Sequence, residues 1–250
     1  MSEMKRYFFD SKNIVRDKSS SDGSQIKYYQ DGRWYKIDNF GGEAESEYLA
    51  STVLSFTNLE IDKYVCYEKA IINDKVGCVS LDFRRDEEEE FITLYRLYKN
   101  IHGRDLAGVT SKMDYDDAIM YVIDFVREQT GLNITTYLAN TFWLDALIIN
   151  TDRHFNNLGI IMRGDEYREA PIFDNGKSLL TGVGLSNQSL TISEWGKEAY
   201  AKAFSPDFDL NFAALKEYCT IELDKEGLIR KLDGCDDTLQ KQVLLYRLER

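Results

Sequence analysis

Two aspartates and an asparagine in the middle of the chain carry the chemistry the sequence offers. In Asn150-Thr151-Asp152-Arg153-His154-Phe155-Asn156-Asn157, Asp152 and Asn157 stand five positions apart, and Ile172-Phe173-Asp174 follows about twenty residues on. A carboxylate can accept a hydrogen bond from an attacking hydroxyl. An amide oxygen and a second carboxylate suit Mg²⁺, which keeps waters and nucleotide phosphates in its remaining positions. The five-residue spacing lets one turn of loop place Asp152 on a substrate and Asn157 on a metal. Asp152 is therefore the candidate base, Asn157 and Asp174 the candidate metal ligands, and ATP with Mg²⁺ the implied cofactors. Either motif alone is weak; in this order and spacing they point to phosphoryl transfer.

Arg153 is expected to pair with a carboxylate of the same loop, and His154 to brace the loop through backbone bonds rather than to bind metal. A similar string, His102-Gly103-Arg104-Asp105, has Thr110 at the fifth position beyond its aspartate, a poor Mg²⁺ ligand. It reads as a helix-terminating loop.

Phosphates also need cations. Lys36 lies in the β-type run Trp34-Tyr35-Lys36-Ile37, where side chains alternate faces, and it is the candidate for the α- and β-phosphates. Glu43, Glu45 and Glu47 in the next segment are available to orient it. Upstream, the polar stretch Lys18 to Gln25 includes Ser20, Ser21, Gly23 and Ser24. Its backbone N–H groups could close over phosphates, although it lacks G-x-G-x-x-G.

The elements that must position these residues fall into two regions. The first ninety residues carry short β-type runs at 6–9, 25–29, 33–37, 63–71 and 75–83, joined by the turns Gln30-Asp31-Gly32 and Asn73-Asp74 into hairpins. They imply a small antiparallel sheet, interrupted by a helix from Glu43 to about Thr57. Beyond Phe83 the pattern is mainly helical. One helix is expected from the acidic stretch Asp86 to Glu90 through Tyr98, a second over Asp114 to Thr130 closed by Gly131, and a third over Asn133 to Ile149 with Asn133 as its cap. Strand-like runs at 158–162 and 167–173 should return Asp174 to Asn157. Helices resume near 194–204, 208–218 and 236–248. The fold class is α+β: a two-lobe, protein-kinase-like plan with a small antiparallel-sheet N-lobe (about 1–84) and a mainly helical C-lobe (about 85–250), forming one domain over 1–250.

Bulk properties narrow the partners. With 31 basic and 43 acidic residues in 250, the net charge of −12 opposes binding to nucleic acid or an anionic membrane. Four cysteines form no C-x-x-C pair, and no apolar run approaches the length of a membrane span or signal peptide. A cytoplasmic protein is expected.

Asp152-Arg153-His154 with Asn157, together with Trp34 to Glu43 followed by Ser46-Glu47-Tyr48-Leu49, resembles the HipA-like serine/threonine kinases. These include a shorter CtkA type and share a remote fold relationship with phosphoinositide 3/4-kinases. The resemblance runs from about Ser19 to Leu180 and is most specific over 150–178. It implies Asp152 as catalytic base, Asn157 and Asp174 on Mg²⁺, Lys36 on phosphate, Glu47 orienting Lys36, and Val79 to Phe83 as the hinge beside adenine, with Leu81 and Phe83 at the nucleotide. It also implies autophosphorylation on Ser19, Ser20, Ser21 or Ser24, and a protein substrate with a serine or threonine acceptor. The metal motif Phe173-Asp174-Asn175-Gly176 agrees with this family. Full-length HipA toxins are longer and carry an N-terminal subdomain that this chain is expected to lack; an antitoxin-like regulator is the partner the resemblance brings with it.

Three alternatives use the same residues. A phosphoinositide-type lipid kinase needs basic residues after the metal aspartate, and from Asn175 to Leu190 there is only Lys177. An ATP-binding pseudokinase or interaction module would bind without turnover. A metal-dependent hydrolase built on Asp152, His154 and Asp174 is short of ligands with only two histidines in the chain.

Overall fold

The computed structural model describes residues 4–15, 25–182 and 191–249. Its N-terminal half is built from β1 (Lys5–Tyr7), β2 (Lys27–Gln30), β3 (Arg33–Ile37), α1 (Glu43–Ser55), β4 (Tyr67–Ile72) and β5 (Lys75–Leu81). Both expected hairpins form. Asp31 and Gly32 take φ of 51° and 69°, and Asn73 and Asp74 take 48° and 61°. Two consecutive left-handed residues match the twist of the strands they join. The sheet order is β1-β4-β5-β3-β2, and four of its strands are antiparallel. The expectation of a wholly antiparallel sheet is corrected at one edge, where β1 runs parallel to β4. That pairing spans more than sixty residues and carries no turn signal.

The helix α1 opens on a loop that is bonded to itself. Asp38 accepts from the N–H groups of Gly42 (2.9 Å) and Ala44 (2.8 Å). Glu43 Oε1 accepts from those of Asn39 (3.2 Å) and Phe40 (2.8 Å). Gly42, at φ 95°, makes the turn. Eleven of the thirteen residues of α1 are buried, Glu43, Glu45 and Glu47 among them, because the helix lies between the sheet and the C-terminal helices.

The second half comprises β6 (Glu90–Thr93), α2 (Leu94–His102), α3 (Leu106–Thr110), α4 (Tyr115–Thr130), α5 (Thr135–Ile148), β7 (Gly159–Arg163), β8 (Glu166–Glu169), α6 (Ile192–Glu198), α7 (Phe208–Ala213), α8 (Lys225–Asp233) and α9 (Leu239–Leu248). The acidic stretch before α2 is not a helix start. Glu90–Thr93 pairs with β7 as the outer strand of a three-stranded sheet β6-β7-β8, and Thr93 caps α2 by accepting from Arg96 N–H. Glu89 is buried against Arg168 (2.6 Å), so tertiary pairing outweighs the helical pattern there. Gly131 caps α4 at φ 73° as expected. The helix after Asn133 begins at Thr135, with Asn133 Oδ1 accepting from its N–H at 3.0 Å. His102-Gly103-Arg104-Asp105 does end one helix, and Asp105 also starts α3 by accepting from Ala107 N–H.

The main core gathers around α5, whose Leu138, Leu144 and Ile148 are fully buried. A smaller cluster under the sheet holds Tyr28, Tyr35, Ile37 and Ile72. The C-terminal helix α9 touches both α1 and α5, which ties the two halves together. Among the described residues, no helix is long and apolar enough to cross a membrane.

Candidate active site

The loop after α5 is shaped from beneath by buried polar side chains. Ile149 turns the chain at φ 53°, and Asn150, wholly buried, donates to Asp145 Oδ1 (2.9 Å) while its own Oδ1 accepts from Asp152 N–H (3.1 Å). Asn157 Nδ2 donates to Asp152 O at 2.9 Å, so the five-residue spacing closes a loop in which the base and the amide brace one another. That bond uses the donor of the amide; its oxygen is the atom that could hold a metal.

Arg153 is 1% exposed and holds the whole region. Its guanidinium pairs with Asp145 (3.0 Å) and donates to Asn157 O (3.2 Å), Phe173 O and Asn175 Oδ1 (2.6 Å). The expected carboxylate partner therefore lies on α5 rather than in the loop, a correction with a physical reason. A buried guanidinium needs an ionised partner at equal depth, and the loop carboxylate Asp152 is partly open to solvent. The same arginine joins the carbonyls beside Asn157 and Asp174, so the hairpin β7-β8 does return the second motif to the first. His154 braces the loop through its backbone as expected, its N–H donating to Asp152 O and its carbonyl accepting from Asn157 N–H, each at 2.8 Å. The ring adds no such bond: Nδ1 is buried without a hydrogen-bond partner and Nε2 is 3.9 Å from Asp152 Oδ1.

Lys36 points from β3 into this region. Its Nζ is 2.7 Å from Glu47 Oε1 and 2.8 Å from Asp174 Oδ1, and it stands 5.1 Å from the centre of the Tyr67 ring. Glu47 Oε2 accepts from Asn175 N–H at 2.7 Å, which fixes the turn where Asp174 adopts φ 58°. Burial alone would weaken the Lys36 ammonium, yet Asp174 and Glu47 raise its pKa well above the ordinary value. Burial alone would raise the Asp174 carboxyl, and Lys36 reverses this, holding it below the usual carboxylate range. Glu47 is pushed up, by burial first and then by Asp174, against the pull of Lys36. One ammonium between two carboxylates leaves a negative charge in excess, which a cation at Asp174 would neutralise.

These side chains open on a cavity of about 1090 Å³. Of the residues singled out in the sequence, Lys36, Leu81, Phe83, Asp152, Asn157 and Asp174 all line it. Glu47 sits behind Lys36 and is 2% exposed. Ser20, Ser21, Gly23 and Ser24 lie outside the described residues, as does Ser19. Phe83, Phe91 and Phe173 form an aromatic trio along one wall, with ring centres 5.2 to 5.6 Å apart, a surface suited to a flat heterocycle. Among the described residues, no group of three or more His, Cys, Asp and Glu side chains forms a metal cage. The donor set of one carboxylate and one amide oxygen fits Mg²⁺ that takes its other ligands from phosphates and water.

Sequence reasoning missed Asp145, Tyr67 and Lys202. Asp145 left a signal, a charged residue within the apolar run Phe142-Trp143-Leu144-Asp145-Ala146-Leu147. Lys202, whose Nζ lies 2.5 Å from Asp152 Oδ1, left none in local spacing.

No family model matches the chain, and no curated protein matches its sequence. Among solved structures, a Helicobacter pylori proinflammatory kinase, CtkA, superposes with a TM-score of 0.67 at 17% identity, over 99% of this chain and 93% of its own. HipA of Shewanella oneidensis MR-1, solved with HipB and operator DNA, superposes with a TM-score of 0.50 at 13% identity, over 97% of this chain and 66% of its own. The chain thus has a HipA/CtkA-like kinase fold with two lobes.

Proposed function

We propose that this cleft transfers the γ-phosphoryl group of ATP, with Mg²⁺, to the hydroxyl of a protein serine or threonine. The observation that carries the reading is Lys36 held between Glu47 and Asp174 in a cleft that Asp152 and Asn157 also line. In these roles Lys36 binds the α- and β-phosphates and Glu47 keeps its ammonium in place. Asp152 accepts the hydrogen bond of the acceptor hydroxyl and takes its proton. Mg²⁺ on Asn157 and Asp174 would supply charge neutralisation along the phosphates. Leu81 and Phe83 border the adenine end, and the segment with Ser19, Ser20, Ser21 and Ser24 is the proposed site of autophosphorylation. A net charge of −12 favours a protein acceptor over a headgroup in an anionic bilayer.

The test is incubation of the chain with γ-labelled Mg-ATP, alone, with cell-lysate proteins and with phosphoinositide vesicles, followed by mass spectrometry. Label on protein hydroxyls, lost in Asp152→Ala and Asp174→Ala, is the expected result. Label on lipid alone would reassign the acceptor. Mg-ATP binding without turnover would make the chain a nucleotide-binding module, and wild-type rates in either variant would sink the assignment.

A further inference from the structure

Four lysines line the cleft among the described residues, and they are not equivalent. Lys36 is shared by Glu47 and Asp174, and Lys177 stands 3.5 Å from the centre of the Phe40 ring and 4.0 Å from Glu43 Oε1. Lys202 instead contacts the candidate base itself, Nζ to Asp152 Oδ1 at 2.5 Å.

The segment that delivers Lys202 is pinned on both sides. Ala201 N–H donates to Pro206 O at 2.7 Å, closing a turn. Buried Asn211 clamps Ser205, accepting from its N–H and donating to its carbonyl, each at 2.8 Å. The Phe204 ring packs on Phe155 of the catalytic loop, with centres 5.3 Å apart, and on Phe142 of α5 at 5.8 Å. Between Lys202 and Phe204, Ala203 adopts φ 83°, a region in which a β-carbon is strained. Such a conformation persists where the surroundings over-determine it, and at functional sites it aims a neighbour. Here the neighbour is Lys202.

The Lys202 side chain is 42% exposed and lines the cleft beside Asp152, so its ammonium is within reach of a second anion there. Phosphoryl transfer provides one, because charge spreads over three equatorial oxygens as the group moves between donor and acceptor. We propose that Lys202 is a catalytic cation that leaves Asp152 for those oxygens, an inference that rests on the phosphotransferase reading of the cleft. In the step, the acceptor O–H bond breaks with its proton passing to Asp152, and the acceptor oxygen bonds to the γ-phosphorus. The bond from that phosphorus to the bridging oxygen breaks, and its electron pair departs with ADP. Lys202 keeps its proton throughout. Protonation of Asp152 cancels the attraction that held Lys202 there, so the cation is released as the charge on the phosphoryl oxygens needs it.

The experiment compares wild type, Lys202→Met and Lys202→Arg in three measurements on the full chain: affinity for Mg-ADP, affinity for Mg-ADP with aluminium fluoride, and turnover with Mg-ATP. Aluminium fluoride mimics the planar phosphoryl group. In Lys202→Met, turnover should fall about 100-fold and affinity for the mimic by a similar factor, with Mg-ADP affinity held within about twofold. Lys202→Arg should recover part of both, and thermal melting confirms that each variant is folded. Unchanged affinity for the mimic in Lys202→Met, or an equal loss for Mg-ADP alone, would overturn the role of Lys202 while wild-type turnover left the reading of the cleft standing. Absence of transfer by the wild-type chain would overturn that reading and this proposal with it.

Discussion

Lys36 Nζ on β3 lies 2.7 Å from Glu47 Oε1 on α1, a pair in which the lysine side chain is 10% exposed and the glutamate 2%. The strand and helix are thus joined at one buried ammonium, and the same ammonium reaches Asp174 across the cleft at 2.8 Å. Removing it leaves two carboxylates facing each other without a cation. Lys36→Met should lower the unfolding free energy by about 3 kcal/mol, the low end for breaking a buried pair because the Asp174 side is open to the cleft. Turnover with ATP should fall by about 100-fold or more in the same variant. Urea unfolding together with steady-state kinetics reads both, and an unchanged urea midpoint would show that the pair contributes no net stability.

The charge balance at this triad predicts a pH dependence with a definite sign. The Asp174 carboxyl is held below its ordinary pKa by Lys36, so its contribution is present above the unfolded value, near 4, and is lost as pH falls toward the folded value. Glu47, raised by burial, acts with the opposite sign. The wild-type urea midpoint should drop between about pH 5 and about pH 3, and that of Asp174→Asn should drop less. Parallel curves would mean that the contact between Lys36 and Asp174 contributes nothing to folding.

Arg153 makes a sharper prediction, since it serves one carboxylate, two carbonyls and an amide from a single fully buried guanidinium. A lysine at this position retains charge but cannot satisfy a fork of partners. Arg153→Lys should therefore destabilise the chain by about 3 kcal/mol, close to the cost of breaking a buried pair. Chemical denaturation measures it; a loss under about 1 kcal/mol would show that the loop finds its shape without this fork.

Much of this was legible in the sequence where local geometry decides. Asp31-Gly32 and Asn73-Asp74 announced their hairpins because left-handed pairs there need those residue types, and the spacing of Asp152, Asn157 and Asp174 anticipated three residues of one cleft. What stayed hidden depends on partners distant in the chain. β1 joins its sheet in parallel with β4, and Glu90, the last residue of the acidic stretch, enters β6 because β7 is there to pair with it. Arg153 finds Asp145 through α5. Lys202 comes to Asp152 across fifty residues because Phe204 packs on Phe155, a contact that no spacing in the chain foretells.

The backbone that carries Lys36 depends on a glycine across the sheet. A β-carbon at Gly77 on β5 would stand 2.2 Å from Lys36 O and 2.8 Å from Ile72 Cδ1, and the first of these neighbours is backbone that cannot rotate away. Gly77→Ala must push β3 and β5 apart at the register pair Ile37 and Gly77, immediately beside Lys36. The expected loss is about 2 kcal/mol of stability, with weaker ATP use because Lys36 shifts from Glu47. Gly108 on α3 gives the contrast, since an added carbon there meets only Asp105 side-chain atoms at 3.7 Å and beyond. Gly108→Ala should raise stability by about 0.5 kcal/mol through the unfolded state and leave ATP use unaltered. Measured side by side, equal effects from the two substitutions would show that the close approach at Gly77 does not hold Lys36 in place.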